Sequence, residues 1–253
     1  MKASFLIPTN RNYKDYAQKV VDNIKKTCFF EKEILIFSPD IIEEEGVRWF
    51  KEESPSHGCV IGYNFLFTKS KGEFIFICND EYGFMNNSSP HLAIEILESS
   101  YYKDRKFKIL GMGSLIGVFP NEHLTAGYTT VPNFSLSSRE YRICGYPVFH
   151  RETIENHLDG YIFHPAFKHH YADNYLPLYA AFNGAPINDC PNSSLLMVAE
   201  AEEDDTITSY DQHDYNVYKS LVHDLFTEET TNYVEKKPLE TSKGFEHRKG
   251  GAK

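Results

Sequence analysis

The stretch "EFIFICNDEYGF", residues 73–84, carries the pattern that decides the fold. Five apolar residues, 74–78, stand directly before Asn79, Asp80 and Glu81. A short apolar run that is bounded by polar turn-forming residues is typical of a buried strand. The stretch therefore predicts a buried strand that ends in two acids.

The residues before this stretch alternate between apolar runs and a helical period. Two earlier runs, residues 3–8 and 34–37, predict further strands. Between them, Tyr16, Val20 and Ile24 are spaced four apart, as on one face of a helix. The segment "YNFLFTKSKG" predicts a second helix, closed by a glycine. Strands that alternate with helices indicate a parallel sheet with crossover connections.

Three polar segments follow the three predicted strands. They are residues 8–11, 38–40 and 79–81. In an open α/β sheet, ligands bind beyond the carboxyl ends of the strands. We therefore expect these segments to line one rim of the sheet and to form the binding site.

Composition limits the class of protein. The chain has 253 residues, 41% of them hydrophobic, which is enough for one sizeable domain. Its formal charge of −10 argues against nucleic acid as a partner. Five scattered cysteines without a CxxC pair indicate neither a disulfide framework nor a zinc site. The sequence thus predicts a cytoplasmic protein without a signal peptide or a membrane span.

The two acids, Asp80 and Glu81, admit two interpretations. Carboxylates at a strand end suit Mg²⁺ or Mn²⁺, which are usually held by one or two carboxylates together with water and phosphate oxygens. An Asn-Asp-Glu turn is also an ordinary way for a chain to leave a sheet. The pair alone does not decide between a metal site and a turn.

Three segments resemble one family in order and spacing. They are "FLIPTNRN" at 5–12, "YNFLFTKSKGEFIFICNDE" at 63–81, and the long segment 145–180 that contains "HHYADN". Together they resemble family 2 glycosyltransferases of the GT-A fold over roughly residues 3–180. The resemblance implies an α/β domain with a central, mostly parallel sheet flanked by helices. We expect a nucleotide-binding half at about 1–85, an acceptor half at about 86–190, and a C-terminal extension at 191–253. That extension should contain an acidic linker, one helix and a mobile tail.

The resemblance also implies roles for particular residues. Those expected to contact the nucleotide of a nucleotide-diphosphate sugar are Pro8, Thr9, Arg11, Ser38, Asp40, Asn64 and Asn79. Asp80 and Glu81 would hold the divalent cation, Mn²⁺ or Mg²⁺, and Asp173 would be the catalytic base. A base within reach of the acceptor hydroxyl suits transfer with inversion to a saccharide or other hydroxyl acceptor. Asp173 would otherwise cap the helix that follows it.

The chain departs from the family pattern at four single positions and in "SPD" at 38–40, where the pattern commonly has Asp-Asp-Gly-Ser. Asn79 stands where the metal motif usually begins with Asp, and Ala172 stands where an acid usually precedes the base. Tyr63 and Leu66 replace an Arg and a Gly. Two alternatives therefore stay open. One is a nucleotidyltransferase on a similar sheet. The other is a catalytically silent binding or assembly protein.

Other side chains are weaker candidates. Histidines 164, 169 and 170 could complete a metal site, and arginines 139, 142 and 151 could clamp a diphosphate. The aromatic residues Tyr146, Phe149, Tyr161 and Phe163 could form an acceptor platform. Cys78 is predicted to be a buried strand residue. The acidic run 200–205 could be a lid or a solvated loop.

Overall fold

The computed structural model describes residues 1–11, 13–53, 58–112, 146–183, 185, 187–190, 195–199 and 209–225. The strands are β1 Ala3–Pro8, β2 Lys32–Ser38, β3 Val47–Lys51, β4 Phe74–Ile77, β5 Tyr82–Phe84, β6 Ile109–Met112, β7 Pro147–His150, β8 Asn188–Cys190 and β9 Leu195–Met197. The helices are α1 Ala17–Thr27, α2 Cys59–Lys69, α3 Ser88–Glu98, α4 Ser100–Lys103, α5 Arg151–His157, α6 Ala172–Phe182 and α7 Asp211–Leu225. The predictions for Arg139, Arg142, the acidic run 200–205 and the tail from 226 onward lie outside the described residues.

Seven strands in the described part of the chain form one sheet, in the order β3-β2-β1-β4-β7-β6-β8. β1 lies parallel to β2 and β4, with Phe5 opposite Ile34 and Phe76. β7 is antiparallel to both of its neighbours, whereas the other six strands run in one direction. The prediction of a mostly parallel α/β sheet is confirmed.

The two faces of the sheet pack against different helices. On β1, Phe5 and Ile7 join a core with residues of α1 and α3. Leu6 points the other way and joins a core with residues of α2, α6 and α7. All residues of β1 and β4 are buried, because both faces of these strands are covered. Polar groups therefore gather beyond the ends of these strands.

The helix expected in the C-terminal extension is present as α7, Asp211–Leu225. Tyr218 of this helix is buried together with Phe167 and Leu176. The helix of the expected C-terminal extension therefore packs into the same core as α6, while the boundary at 190 stays a prediction. None of the helices described in the chain is both long and apolar enough to cross a lipid bilayer.

The second predicted helix ends differently from the expectation. α2 stops at Lys69 and is followed by Ser70, so Gly72 does not close it. A Cβ atom at position 72 would lie 2.4 Å from backbone atoms of both Ala3 and Ser4. Glycine is needed there because the chain passes very close to β1 as it enters β4.

A second glycine, Gly62, fixes the distance between α2 and the rim of the sheet. A Cβ atom at this position would lie 2.6 Å from Cβ of Pro8 and 3.2 Å from Cδ1 of Phe37. We expect Gly62→Ala to lower the free energy of unfolding by about 1–3 kcal/mol, because α2 must move away from β1 and β2. Urea denaturation measures this change. Ile61→Ala, at the exposed neighbouring position, is expected to change stability much less, and an equal loss in both variants would contradict the packing argument.

Candidate active site

Two side chains meet where β1 and β4 end side by side. Thr9 follows β1, and its hydroxyl donates a 2.5 Å hydrogen bond to Oδ2 of Asp80, which lies beyond β4. Both residues are buried, with exposed fractions of 6% and 7%. The rim predicted from the sequence is confirmed for these two segments, since residues that are 71 positions apart are in direct contact.

Arg11 neutralises the acids at this rim. Its Nη1 atom donates a hydrogen bond to Oε1 of Glu81 and lies 3.6 Å from Oδ1 of Asp80. The ring of Tyr16 lies beneath the guanidinium, at 5.3 Å. Burial raises the pKa of the Asp80 carboxyl, although the Thr9 hydrogen bond and the Arg11 charge oppose this rise. Burial thus disfavours the ionised form of Asp80, whereas the contacts with Thr9 and Arg11 favour it.

The oxygen atoms of Asp80 and Glu81 are the donors that a hard divalent cation prefers. Within the described residues, no group of three or more His, Cys, Asp and Glu side chains is arranged to hold a metal ion. The pair would therefore supply at most two protein ligands, which suits Mg²⁺ or Mn²⁺ because these ions keep positions for water and phosphate oxygens. The side chains present fit such an ion, with Arg11 in the role of the neutralising cation when the ion is absent.

Arg11→Gln is expected to have opposite effects on two affinities. Removal of a positive charge beside Asp80 and Glu81 should tighten binding of Mn²⁺ alone by about 10-fold. Loss of the guanidinium that the family resemblance places near the diphosphate should weaken binding of the nucleotide sugar by about 10-fold. Titration of Mn²⁺ by electron paramagnetic resonance and of the sugar nucleotide by calorimetry measure the two constants. Arg48→Gln, which breaks a comparable pair with Glu33 at the amino ends of the strands, is the control and should change neither.

Asp173 lies in the first turn of α6. The helix begins at Ala172, after Tyr171, whose φ of 61° lies in the left-handed region. The alternative interpretation, in which Asp173 precedes and caps a helix that begins at residue 174, is therefore wrong, because the helix begins two residues earlier. Burial raises the pKa of the Asp173 carboxyl to about 6, although backbone N–H groups of Asp173 and Asn174 and the charge of His170 lower it.

Carboxylates from distant parts of the chain affect the pKa values of the same two partly exposed side chains, Cys59 and Tyr146. Burial raises the pKa of the Cys59 thiol, and the charges of Asp173 and Asp80 raise it further. Burial also raises the pKa of Tyr146, with added effects of Glu81 and Asp173. Asp173 and the acids beyond β4 therefore act on the same two side chains, Cys59 and Tyr146.

Comparison with known proteins gives matches among solved structures. No family model matches the chain, and no curated protein matches it in sequence. TarS from S. aureus, in complex with UDP-GlcNAc, superposes with a TM-score of 0.60 and 14% identity over 83% of this chain and 62% of that one. GalNAc-T7 with UDP, GalNAc and Mn²⁺ superposes with a TM-score of 0.56 and 12% identity, over 78% of this chain and 44% of that one. Mannosyltransferase PcManGT from Pyrobaculum calidifontis, in complex with GDP-Man and Mn²⁺, superposes with a TM-score of 0.52 and 12% identity, over 79% of this chain and 58% of that one.

The chain has a GT-A glycosyltransferase fold. At these identities the similarity concerns the fold, and the chain spans less than two thirds of the length of each of the three proteins. The expected GT-A architecture is thereby confirmed.

Three of the residues predicted to contact the nucleotide also stabilise loops of the GT-A rim. The side-chain oxygen of Asn79 accepts hydrogen bonds from the backbone N–H groups of Glu81 and Tyr82, both at 3.1 Å, and its amide donates to Oη of Tyr146 at 2.9 Å. Buried Ser38 accepts a hydrogen bond from the backbone N–H of exposed Asp40 at 3.2 Å. Their contacts with a nucleotide, like those of Pro8 and Thr9, stay predictions.

Asn64 connects α2 to the segment that precedes α6. From α2, its side-chain oxygen accepts hydrogen bonds from the backbone N–H groups of Ile162 and Phe163, at 2.9 and 3.2 Å. Its amide donates to the carbonyl oxygen of Phe163 at 2.8 Å. These contacts show a bridging role, which the sequence did not reveal because the partners are almost 100 positions away. The predicted contact of Asn64 with the nucleotide stays a prediction.

Asn64→Ala is expected to lower the free energy of unfolding by about 2 kcal/mol, because it leaves partly buried backbone groups of residues 162 and 163 without partners. Urea denaturation measures the loss. Thr68→Ala, one turn further along α2 and exposed, should have a much smaller effect. A stable Asn64→Ala variant with weakened nucleotide-sugar affinity would instead support the contact with the nucleotide.

The histidine and arginine candidates have other contacts. Nδ1 of His164 accepts a hydrogen bond from the backbone N–H of Ala166, and burial lowers the pKa of His164. No metal-binding group of the required size includes His164, His169 or His170 within the described ranges. Arg151 donates to the carbonyl oxygen of Gly72 at 2.7 Å and to Oγ of Ser70 at 2.7 Å. It therefore secures the chain before β4.

The four aromatic residues considered for an acceptor platform do not form one exposed surface. Phe149 is completely buried and Phe163 is nearly so, whereas Tyr161 is 44% exposed. Tyr146 lies at the rim, and its ring meets that of Tyr82 at 5.6 Å. The platform prediction is wrong for Phe149, because residues of β7 alternate between two covered faces of the sheet. Cys78 is buried, as predicted.

Sequence reasoning missed one acid near the site, Asp214 on α7. This carboxylate is completely buried and accepts hydrogen bonds from three consecutive backbone N–H groups of the segment that leads to Asp173. In the sequence it stands in a polar stretch rich in acids, where a solvated position is the ordinary expectation. No local signal distinguishes it from Asp211 or Asp224 on the same helix.

Proposed function

We propose that the chain is a metal-dependent glycosyltransferase that moves a sugar from a nucleotide-diphosphate sugar to a hydroxyl acceptor, with inversion. The observations that support this proposal are the contacts of Asp80 with Thr9 and Arg11 at the carboxyl ends of β1 and β4, and the place of Asp173 in the first turn of α6. The three solved proteins described above have UDP-GlcNAc, UDP with GalNAc, or GDP-Man in their complexes, and two contain Mn²⁺. A nucleotide-sugar donor and a divalent cation are the corresponding proposals for this chain.

Each carboxylate has a distinct chemical task in this proposal. Asp80, oriented by Thr9, and Glu81 would hold the divalent cation, which when bound neutralises charge on the departing diphosphate. Asp173 would accept the proton of the acceptor hydroxyl while the acceptor oxygen forms a bond to the anomeric carbon. The bond from that carbon to the diphosphate oxygen breaks, and its electron pair leaves with the nucleoside diphosphate. Attack from the face opposite the leaving group produces inversion.

Arg11 has one role in the free protein and another when the donor is bound. In the free protein its guanidinium neutralises buried Asp80 and partly exposed Glu81, so the two acids can lie side by side. When a diphosphate is present, the same fork can turn to the phosphate oxygens, which it binds with two parallel hydrogen bonds. A change of partner by Arg11, from the two acids to the phosphate oxygens, suits a site in which the cation and the donor bind together.

The direct test is calorimetry of the wild type with UDP-GlcNAc, UDP-GalNAc and GDP-mannose, with Mn²⁺ and again with chelator. We expect one donor to bind only when Mn²⁺ is present, followed by release of the nucleoside diphosphate when the complex is incubated. Activity that consumes a nucleoside triphosphate instead would support the nucleotidyltransferase alternative. Donor binding without turnover, across a panel of hydroxyl acceptors and water, would support a silent binding protein.

A further inference from the structure

The Asp214 carboxylate is the most completely enclosed acid of the described chain, with no exposed surface. Its Oδ1 atom accepts a hydrogen bond from the backbone N–H of Lys168 at 3.0 Å. Its Oδ2 atom accepts from His169 at 2.8 Å and from His170 at 2.7 Å. Three donors on successive residues form a concave anion site in the backbone, and a carboxylate is the side chain that fills it best.

The segment that Asp214 holds is wedged against the start of α2. The carbonyl oxygen of Lys168 accepts a hydrogen bond from the backbone N–H of Val60 at 3.1 Å. That oxygen lies only 2.3 Å from the place of a Cβ atom at Gly58, whose φ is +75°. The segment 168–170 is thus fixed from two sides, by α7 and by the start of the helix that carries Cys59.

Beyond this segment the chain makes one sharp turn and then enters the helix of the proposed base. His170 is followed by Tyr171, in the left-handed region, and by α6, whose second residue is Asp173. A tilt of segment 168–170 would therefore be passed directly to the carboxylate of Asp173. The backbone offers no flexible spacer between the residues that Asp214 holds and the proposed base.

We propose that Asp214 is a positioning residue, which fixes segment 168–170 and through it the first turn of α6, where Asp173 lies. The inference rests on the proposed function, because it takes Asp173 as the base. It makes α7 a part of the transferase site, although the helix is distant in sequence and its own side chains are not expected to touch the donor. A purely structural anchor would affect folding stability but not turnover of the folded protein.

The test compares Asp214→Asn with the wild type by two independent readouts. An amide at this position turns its NH₂ group toward one or more backbone donors, so hydrogen–deuterium exchange of residues 168–170 should accelerate by about 10-fold or more. Turnover is followed as nucleoside diphosphate release from the donor found by calorimetry, with water as the acceptor. We expect kcat to fall by about 10- to 100-fold while KM for the donor stays within about 2-fold. Asp224→Asn, an exposed acid on the same helix, is the matched control and should change neither readout.

A second variant guards against failure of the first to fold. Asp214→Glu keeps two acceptor oxygens but moves them by one methylene group, so it should fold and still lower kcat several-fold with an unchanged KM for the donor. Wild-type kcat in a folded variant whose 168–170 amides exchange faster would overturn the proposal and leave Asp214 a structural anchor. Absence of nucleoside diphosphate release by the wild type, both with water and with the panel of hydroxyl acceptors, would instead refute the proposed function, and the role of Asp214 with it.

Discussion

Asp80→Asn is expected to reduce Mn²⁺-dependent binding of the nucleotide sugar by at least about 100-fold. The amide keeps the size of the side chain and can still accept the hydrogen bond from Thr9, but it removes the negative charge that a divalent cation requires. Burial already disfavours that charge in the free protein, so the fold should tolerate the substitution well. Calorimetry with Mn²⁺, and again with chelator, measures the effect.

Glu95→Gln is the matched control, because it removes one exposed carboxylate from α3 without touching the rim. Its donor affinity should equal that of the wild type. If Asp80→Asn retained full Mn²⁺-dependent affinity, Asp80 would return to the interpretation of a turn residue. Thermal denaturation of both variants in chelator shows that any loss of affinity is not a loss of folding.

Asp173→Asn is expected to lower kcat by about 100- to 10,000-fold and to leave donor affinity unchanged. The reason is that an amide cannot accept the proton of the acceptor hydroxyl, whereas the donor contacts are proposed to lie on the opposite half. Folding should not suffer. Because the pKa of Asp173 is raised to about 6, ionisation of this carboxyl destabilises the folded protein as the pH rises toward 6, and this cost remains in full at higher pH. A side chain that never ionises should therefore make the protein somewhat more stable at pH 8.

The pH dependence of turnover gives an independent measurement. A base must be deprotonated to act, and the pKa of Asp173 is about 6. Wild-type kcat should thus fall as the pH drops below about 6 and level off above it. Asp159→Asn, an exposed acid in the same half, should keep this profile. Near-normal turnover in Asp173→Asn would remove Asp173 from the mechanism.

The sequence was sufficient where structure is decided locally. Secondary structure could be predicted from the apolar runs of β1, β2 and β4 and from the helical spacing in α1, because the period of the side chains follows from backbone geometry. The meeting of Thr9 with Asp80 was also predictable, since parallel neighbouring strands bring their carboxyl ends to one edge. The rim therefore followed from patterns within the first 85 residues.

The remaining features depend on contacts between distant parts of the chain. Asn64 resembles any polar residue on a helix until Phe163 lies beside it. Asp214 resembles a solvated acid, and its burial is created by packing of α7 on α6 rather than by its neighbours in sequence. Phe149 is aromatic, as a sugar-binding platform requires, but its side chain is completely buried in the packed sheet. Tertiary packing determines the environment of each of these three residues, and a single sequence does not show which distant residues pack together.

The strand order has a consequence for the newly synthesised chain. β4 pairs with β1 on one side and with β7 on the other, yet β7 is translated long after β4. While the intervening residues leave the ribosome, the sequence "FIFI" has an open edge of unpaired backbone groups. Exposed apolar edges of this kind recruit strands of other chains. Aggregation during translation should therefore be most frequent between synthesis of residue 77 and residue 150, and chaperone binding should be strongest in that interval.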